Sequence, residues 1–574
     1  MPGRLSRAEG WLCFAIATAL DIASGLRSSP EVLEGRLLNP DSYMRIVRLR
    51  DMLDAGRPLH AVMRDGSGEG TVLHWSHLLD AVLLLLSLPF RLILPGDAAL
   101  QAAAMLLGPL SVGAAGAAAA WLLAPITRPG TRWTAAALAG LAPPVIVYGF
   151  PGVAHHHAPL GIAALLLAGA AGRVAAGSVR AGWLLGAAAG FGIWLSPEAM
   201  PFALLAFGGG GLAWLIAAEP KPLAAGLLRG GAAFLAIILL ALAIDPPSGG
   251  RAALELDRIS AAYVPLAALA VAVAFALTRL GGRRWLGVLF GAAAIAGWLA
   301  LFPDVLRGPD AAAPEAAAMF AAIEEMLPVR GWAQAVLFLG DGALALIFCL
   351  AMAWRGRSWT WAYAAGAVLF MLALGALHIR FATYATLAGA AVLPALLGAI
   401  TIRLAGQPNL QALGRVGMLL IAMLPTRADG IAAQFAIPST AAPAALPCPI
   451  APFAPHLQAL GDAVVLSDIN DAPELLYRSR IRTVASLYHR NVPAFLRMQV
   501  AWREVPGDAP GPAFLATGAR FVLVCPTGPR SAMVAGLAET TLLDRLRAGA
   551  PPAWLRQVQA DPASGLVLFE LATK

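Results

Sequence analysis

Long apolar runs alternate with short polar loops along most of this chain. Runs near 10–26, 99–124, 132–150, 158–173, 181–196, 200–217, 229–245, 261–278, 285–302, 332–354, 359–377, 381–402 and 413–426 approach the ~20 residues that carry a helix across a bilayer. They predict about thirteen transmembrane helices over residues 1–429. Leu78 to Leu94 is also apolar, but it carries Asp80 and Arg91. Counting it as a span would move Arg128 and Arg132 outside, so it is read as a helix on the membrane surface within a long first external loop, 27–98.

The loops support that count. With the N-terminus inside, the internal loops hold Arg128 and Arg132, Arg173 and Arg180, Lys221 and Arg229, Arg279, Arg283 and Arg284, Arg355 and Arg357, then Arg403 and Arg415. Basic internal loops are the signature of an oriented membrane protein. The external loops then hold Asp41, His155-His156-His157, Glu198, the 245–260 loop, Glu325 in a loop over 303–331, and Arg380.

The pattern changes near Gly430. A Pro/Ala-rich stretch, 430–455, reads as a linker, and 456–574 carries strand-like runs at 463–466, 520–524 and 566–569 between helical segments such as 532–547. This predicts a small α/β domain, placed outside by the odd number of spans.

Composition agrees. Of 574 residues, 59% are hydrophobic and 13% charged, against roughly 25% charged in soluble domains; mean hydropathy is +0.72. The chain is an integral membrane protein embedded in a lipid bilayer, and its 59 glycines favour close helix packing. The net charge of +8 is spread over short loops, where it orients the chain and does not signal nucleic-acid binding. Cys13 and Cys349 fall in apolar runs, whereas Cys448 and Cys525 fall in the C-terminal region and would pair in an oxidising compartment. No CxxC or Cys/His zinc spacing occurs. Arg4 and Arg7 before the first run suit a signal peptide, but no small-residue cleavage site follows, so a retained span is expected.

Several polar residues stand where an apolar chain has little use for them. Asp41 opens an amphipathic stretch to Leu53, where it is either a ligand or an N-cap. His155, His156 and His157 follow Pro151-Gly152 at a span mouth, either as ligands for a transition metal or as a polar interfacial cluster. Glu198 reads as the cap of the helix that follows it. Glu324 and Glu325 directly precede a span, either as a site or as a solvated helix face. Arg380 can snorkel or grip a phosphate through two N–H groups, and Tyr384 lies one turn further on. Asp21 is the main charge in mid-span. Tyr488-His489-Arg490-Asn491 is either an acceptor contact or an ordinary loop.

Together these residues resemble the catalytic subunits of oligosaccharyltransferases, and more broadly the GT-C class of membrane glycosyltransferases. Ala322-Ile323-Glu324-Glu325 matches three of the four positions of a Thr-Ile-x-Glu-like motif, and Arg380-Phe381-Ala382-Thr383-Tyr384 matches an Arg-Phe-x-x-Tyr pattern. The segment from Asp41 to Asp80, with His74-Trp75-Ser76, is similar to a bacterial GT-C-like group whose second motif reads Asp-His-His-Asn; here it is Ala154-His155-His156-His157. The resemblance implies a polytopic α-helical GT-C fold with a periplasmic α/β domain, in a bacterial inner membrane. It implies Asp41 and Glu325 as catalytic residues, and Arg380 and Tyr384 as donor-phosphate contacts. A divalent Mg²⁺ or Mn²⁺ would be held by Asp41, His155, His156, His157 and Glu325. The donor would be a polyprenyl-(di)phosphate-linked sugar and the acceptor an envelope component.

Two departures stand out. Ala154 replaces an expected carboxylate, and the Trp-Trp-Asp motif that reads a protein acceptor is absent. The alternatives are a monosaccharide transferase using a polyprenyl monophosphate, a non-catalytic binder of lipid-linked glycan, and a transporter. The transporter fits less well, because the ionisable residues gather at one face and leave the mid-span region almost bare.

Overall fold

In hydrocarbon an unpaired backbone N–H or C=O has no water to turn to, so apolar runs resolve into helices that bond internally. The computed structural model describes residues 3–281, 283–306, 315, 317–320, 323–427, 448–528 and 541–572. Each of the thirteen apolar runs is helical within these residues. The third is broken into Trp133–Ala139 and Pro143–Ile146, where two consecutive prolines remove backbone donors.

Eight described helices are long and apolar enough to cross a membrane: Arg7–Ser28, Gly96–Leu122, His157–Ala175, Pro197–Ile216, Pro220–Ile244, Gly331–Gly356, Trp359–Leu377 and Ile379–Arg403. Ala181–Leu195, Tyr263–Arg279 and Trp285–Leu301 are apolar but shorter, so length and composition support eight of the thirteen expected crossings. Leu78–Ser87 is a ten-residue helix, ~15 Å long at 1.5 Å per residue, about half a hydrocarbon core.

Small residues let two helices meet closely. Gly182, Gly186 and Gly190 recur every four residues on Ala181–Leu195. A Cβ on Gly182 or on Gly186 would stand only 2.0 Å from a carbonyl oxygen of Pro220–Ile244, so these two helices approach backbone to backbone.

The 27–98 loop is ordered by a buried ion network. Pro40–Ala55 lies against Leu78–Ser87 because Asp80 takes both Arg45 at 3.0 Å and Arg48 at 2.5 Å, all three fully buried. Arg45 also sits over the Trp75 ring, 4.3 Å from its centroid. Asp80 therefore builds the loop. A short hairpin of β1 (Ala61–Val62) and β2 (Thr71–Val72) follows Pro40–Ala55.

Among the described residues the C-terminal domain has a five-stranded mixed sheet in the order β4-β3-β5-β7-β6, with β3 at Val464–Leu466, β4 at Arg482–Thr483, β5 at Phe521–Val524, β6 at Leu555–Ala560 and β7 at Val567–Leu571. β3 pairs parallel with β4 and β5, and β7 pairs antiparallel with β5 and β6. Three strands lie where the sequence places them; β4 and β6 are additional. The described helix near 532–547 is Leu542–Arg547, and residues 529–540 lie outside the described set, as does most of the expected linker. Cys448 and Cys525 form a disulfide at the start of this domain, and Cys13 and Cys349 are buried and free.

The domain is seated on the loops of the helical bundle. Asp65 is buried and accepts from Thr483 at 2.8 Å and from Ser486. Asp257 accepts from His489 and Arg490, both at 2.8 Å. His489 and Arg490 therefore belong to a docking seam, which accounts for the polar cluster around them.

Candidate active site

The loop before His157–Ala175 turns at Gly152, whose φ of +88° is left-handed backbone that a side chain disfavours. Its carbonyl accepts from Leu38 N at 3.1 Å, tying this loop to the 27–98 loop. Ala154 N then donates to Ser42 Oγ at 2.7 Å, fixing this loop beside Asp41. Ala154 itself is fully buried among Leu37, Ile46 and Leu79. The position that lacks a carboxylate is thus a packing position here, and the neighbouring residue meets the acid.

That neighbour is His155, whose Nε2 lies 2.8 Å from Asp41 Oδ2. The other carboxylate oxygen, Oδ1, accepts from Tyr488 Oη at 2.9 Å. Asp41 is not the helix cap: Asn39 caps Pro40–Ala55 by accepting from Ser42 N. Burial pushes the Asp41 carboxyl up, but hydrogen bonds from His155 and Tyr488 more than offset it and hold it below the usual range, so it is ionised. Burial, followed by the adjoining His155 and His157, keeps His156 well below the usual imidazole range.

The histidines form a compact group, with one nitrogen from each of His155, His156 and His157 within 4.8 Å of the others. Two glutamates face them. Glu198 Oε2 is 3.5 Å from His157 Nδ1 and 3.9 Å from His156 Nε2, and Glu325 Oε2 is 3.9 Å from His157 Nε2. Ser196, not Glu198, caps the turn at Pro197–Ala199, so the capping assignment for Glu198 is corrected: its carboxylate faces the cluster.

Arg380 completes the group. Its Nη1 lies 3.3 Å from Glu198 Oε1 and its Nη2 donates to Glu325 Oε1 at 3.0 Å. Tyr148 Oη donates to the second Glu325 oxygen at 2.8 Å. Arg380 sits in the tight turn Ile379–Phe381, which runs directly into Ala382–Arg403, the helix that carries Tyr384. Both reach the cluster, Tyr384 Oη standing 3.2 Å from His157 Nδ1.

All seven site residues expected from the sequence thus gather at one end of the bundle: Asp41, His155, His156, His157, Glu325, Arg380 and Tyr384. Glu198, Tyr148 and Tyr488 join them; Tyr488 comes from the Tyr488-His489-Arg490-Asn491 cluster, whereas no sequence pattern points to Tyr148. The four charged side chains keep between 17 and 25% of their surface exposed, which leaves the cluster open to a ligand. Its donor chemistry fits a divalent cation. His157 Nε2 and Glu198 Oε2 are buried with no hydrogen-bond partner, and imidazole plus carboxylate is a set that borderline ions accept.

No family model and no curated protein matches this chain. Solved structures do. Archaeal oligosaccharyltransferase AglB from Archaeoglobus fulgidus, in complex with an inhibitory peptide and a dolichol-phosphate, superposes with a TM-score of 0.67 at 12% identity, over 98% of this chain and 74% of that one. The apo form of the A. fulgidus oligosaccharyltransferase gives 0.68 at 12% identity, over 91% and 70%. Its complex with Zn and sulfate gives 0.61 at 13% identity, over 89% and 67%. This protein therefore has the fold of an oligosaccharyltransferase of the GT-C class, a helical membrane domain carrying a small C-terminal sheet domain.

Proposed function

We propose that the chain is a membrane glycosyltransferase that moves a sugar or oligosaccharide from a polyprenyl-(di)phosphate donor to an acceptor in the periplasm of a bacterial cell envelope. The observation that carries this reading is the convergence of Asp41, three histidines, Glu198, Glu325 and Arg380 on one partly open cluster. Anion and cation sites side by side are what a phosphate leaving group requires.

Asp41, His155, His156 and His157, with Glu198 and Glu325, would hold the divalent cation. When bound, it supplies positive charge that neutralises the departing phosphate. Three imidazoles favour Mn²⁺ or Zn²⁺ over Mg²⁺, which prefers oxygen ligands. The archaeal protein's complex with Zn and sulfate suits a cluster that takes a cation and an oxyanion.

In the transfer the sugar C1–O bond breaks and its electron pair leaves on the phosphate oxygen. Arg380, planar and permanently charged, stabilises that oxygen. A bond forms between C1 and the acceptor atom, and the acceptor's proton passes to Glu325. Tyr384 orients the phosphate end from beside His157. Tyr488 holds Asp41, and Tyr148 holds Glu325, each through the hydrogen bond described above.

The test is incubation of purified protein with lipid-linked sugars extracted from its native membranes. Release of polyprenyl phosphate or diphosphate that disappears in R380A supports the enzyme. Coupled uptake into vesicles without donor breakdown would establish the transporter instead. Ala154 favours one further reading, a non-catalytic glycan binder, which predicts donor binding without breakdown.

A further inference from the structure

A second polar cleft opens beside the cluster, lined by His74, Trp75, Ser76, His156, Asp257 and Arg258. Its cavity volume is about 10 Å³, room for a single hydroxyl or water. His156 is the shared wall, since its Nε2 also looks toward Glu198 at 3.9 Å. Two further elements fix the cleft. The His74 ring packs on His489, with centroids 4.8 Å apart, and Trp75 meets Tyr488 edge-on at 5.1 Å.

The polar atoms of this wall are unusual. His74 Nδ1, Trp75 Nε1, Ser76 Oγ and Arg258 Nε are all buried without a hydrogen-bond partner. Trp75, Ser76 and Arg258 are themselves 5, 3 and 1% exposed. Buried polar groups are normally satisfied, and the networks around these four are: Asp245 alone takes His77, Trp194 and Arg258. Four unsatisfied groups around one narrow cleft, next to the histidine cluster, imply a polar ligand that both donates and accepts. A hydroxyl does both.

We propose that this cleft reads one hydroxyl group of a sugar, which enters edge-first beside His156 and bonds to the Trp75 and Ser76 side chains. The inference rests on the glycosyltransferase reading and adds its specificity determinant. The sugar belongs either to the lipid-linked donor or to an acceptor glycan, and the two sources share this chemistry.

The indole N–H resonance of Trp75 in the full chain, labelled with ¹⁵N and assigned by its loss in W75F, reports the cleft directly. Three probes are added in turn: bare undecaprenyl phosphate, lipid-linked sugars extracted from the native membranes, and glycans released from the native envelope. The proposal expects no shift with the bare lipid and a clear shift with one sugar-bearing probe, which names the source. It also expects S76A to weaken that probe about tenfold while leaving the bare lipid's affinity unchanged. A resonance that no sugar-bearing probe moves, as a trapped water would give, overturns the proposal. So does an equal shift with bare lipid. Failure of the bare lipid to bind the natural chain counts against the glycosyltransferase reading instead, whatever the resonance does.

Discussion

The Arg380 guanidinium donates to the Glu325 carboxylate at 3.0 Å, and Glu198 flanks it on the other side. Arg380, the proposed contact for a donor phosphate, is thus already paired with two acids. A phosphate has to displace at least one of them. Replacing either acid by its amide should therefore keep or tighten binding of bare undecaprenyl phosphate, while E325Q lowers turnover by about 10². R380K, which keeps the charge but loses the fork, should lower turnover by a similar factor. Binding titrations alongside single-turnover rates check this; looser binding with unchanged turnover in E325Q would contradict it.

The histidine group predicts a bound metal. Chelator dialysis should strip a divalent ion, seen by elemental mass spectrometry, and abolish transfer. Mn²⁺ or Zn²⁺ should restore it at lower concentration than Mg²⁺. D41A and H155A should each reduce the metal content of the purified protein. A full metal complement in both variants would show that the cation lies elsewhere.

Acid should loosen the seam between the helical bundle and the C-terminal domain. Burial raises the Asp257 carboxyl, but hydrogen bonds from His489 and Arg490 more than offset it and hold it far below the usual range. A depressed carboxylate contributes fully above its unfolded pKa of about 3.9 and loses that contribution as pH falls toward the folded value. Limited proteolysis of the C-terminal domain should thus be constant from neutral pH to about 4 and accelerate below it. D257N should show the acid pattern at pH 7.

The Cys448–Cys525 bond closes a loop with a sequence separation of 77. Chain-entropy reasoning assigns such a loop about 4 kcal/mol of stabilisation. Mild reductant, or C448S with C525S, should lower the melting temperature of the C-terminal domain and leave the membrane helices unaffected. An unchanged melt would mean that the sheet core suffices.

Much of this molecule was legible as pattern, and the reasons are physical. Apolar runs must become helices in lipid, so every run was found, and the Pro143-Pro144 break was the one interruption. Asp41, Glu325 and Arg380 were visible because charge beside an apolar run is costly. Glu198 was not, because an acid after Ser-Pro looks the same whether it caps a turn or faces a site. Tyr148 and Tyr488 matter through contacts spanning 177 and 447 residues, which no local pattern encodes. In the sheet, β4 is two residues long, and β6 is largely exposed, so neither shows the apolar signature of β5.

The central claim is that one carboxylate, one glutamate and one guanidinium act on the same lipid-linked sugar. The most direct measurement is the rate of sugar transfer from extracted lipid-linked donor by D41A, E325A and R380A, each purified at natural yield and with the natural chain's melting temperature. The account predicts that each falls by about 10² or more. Three folded variants that transfer at the natural rate would contradict it.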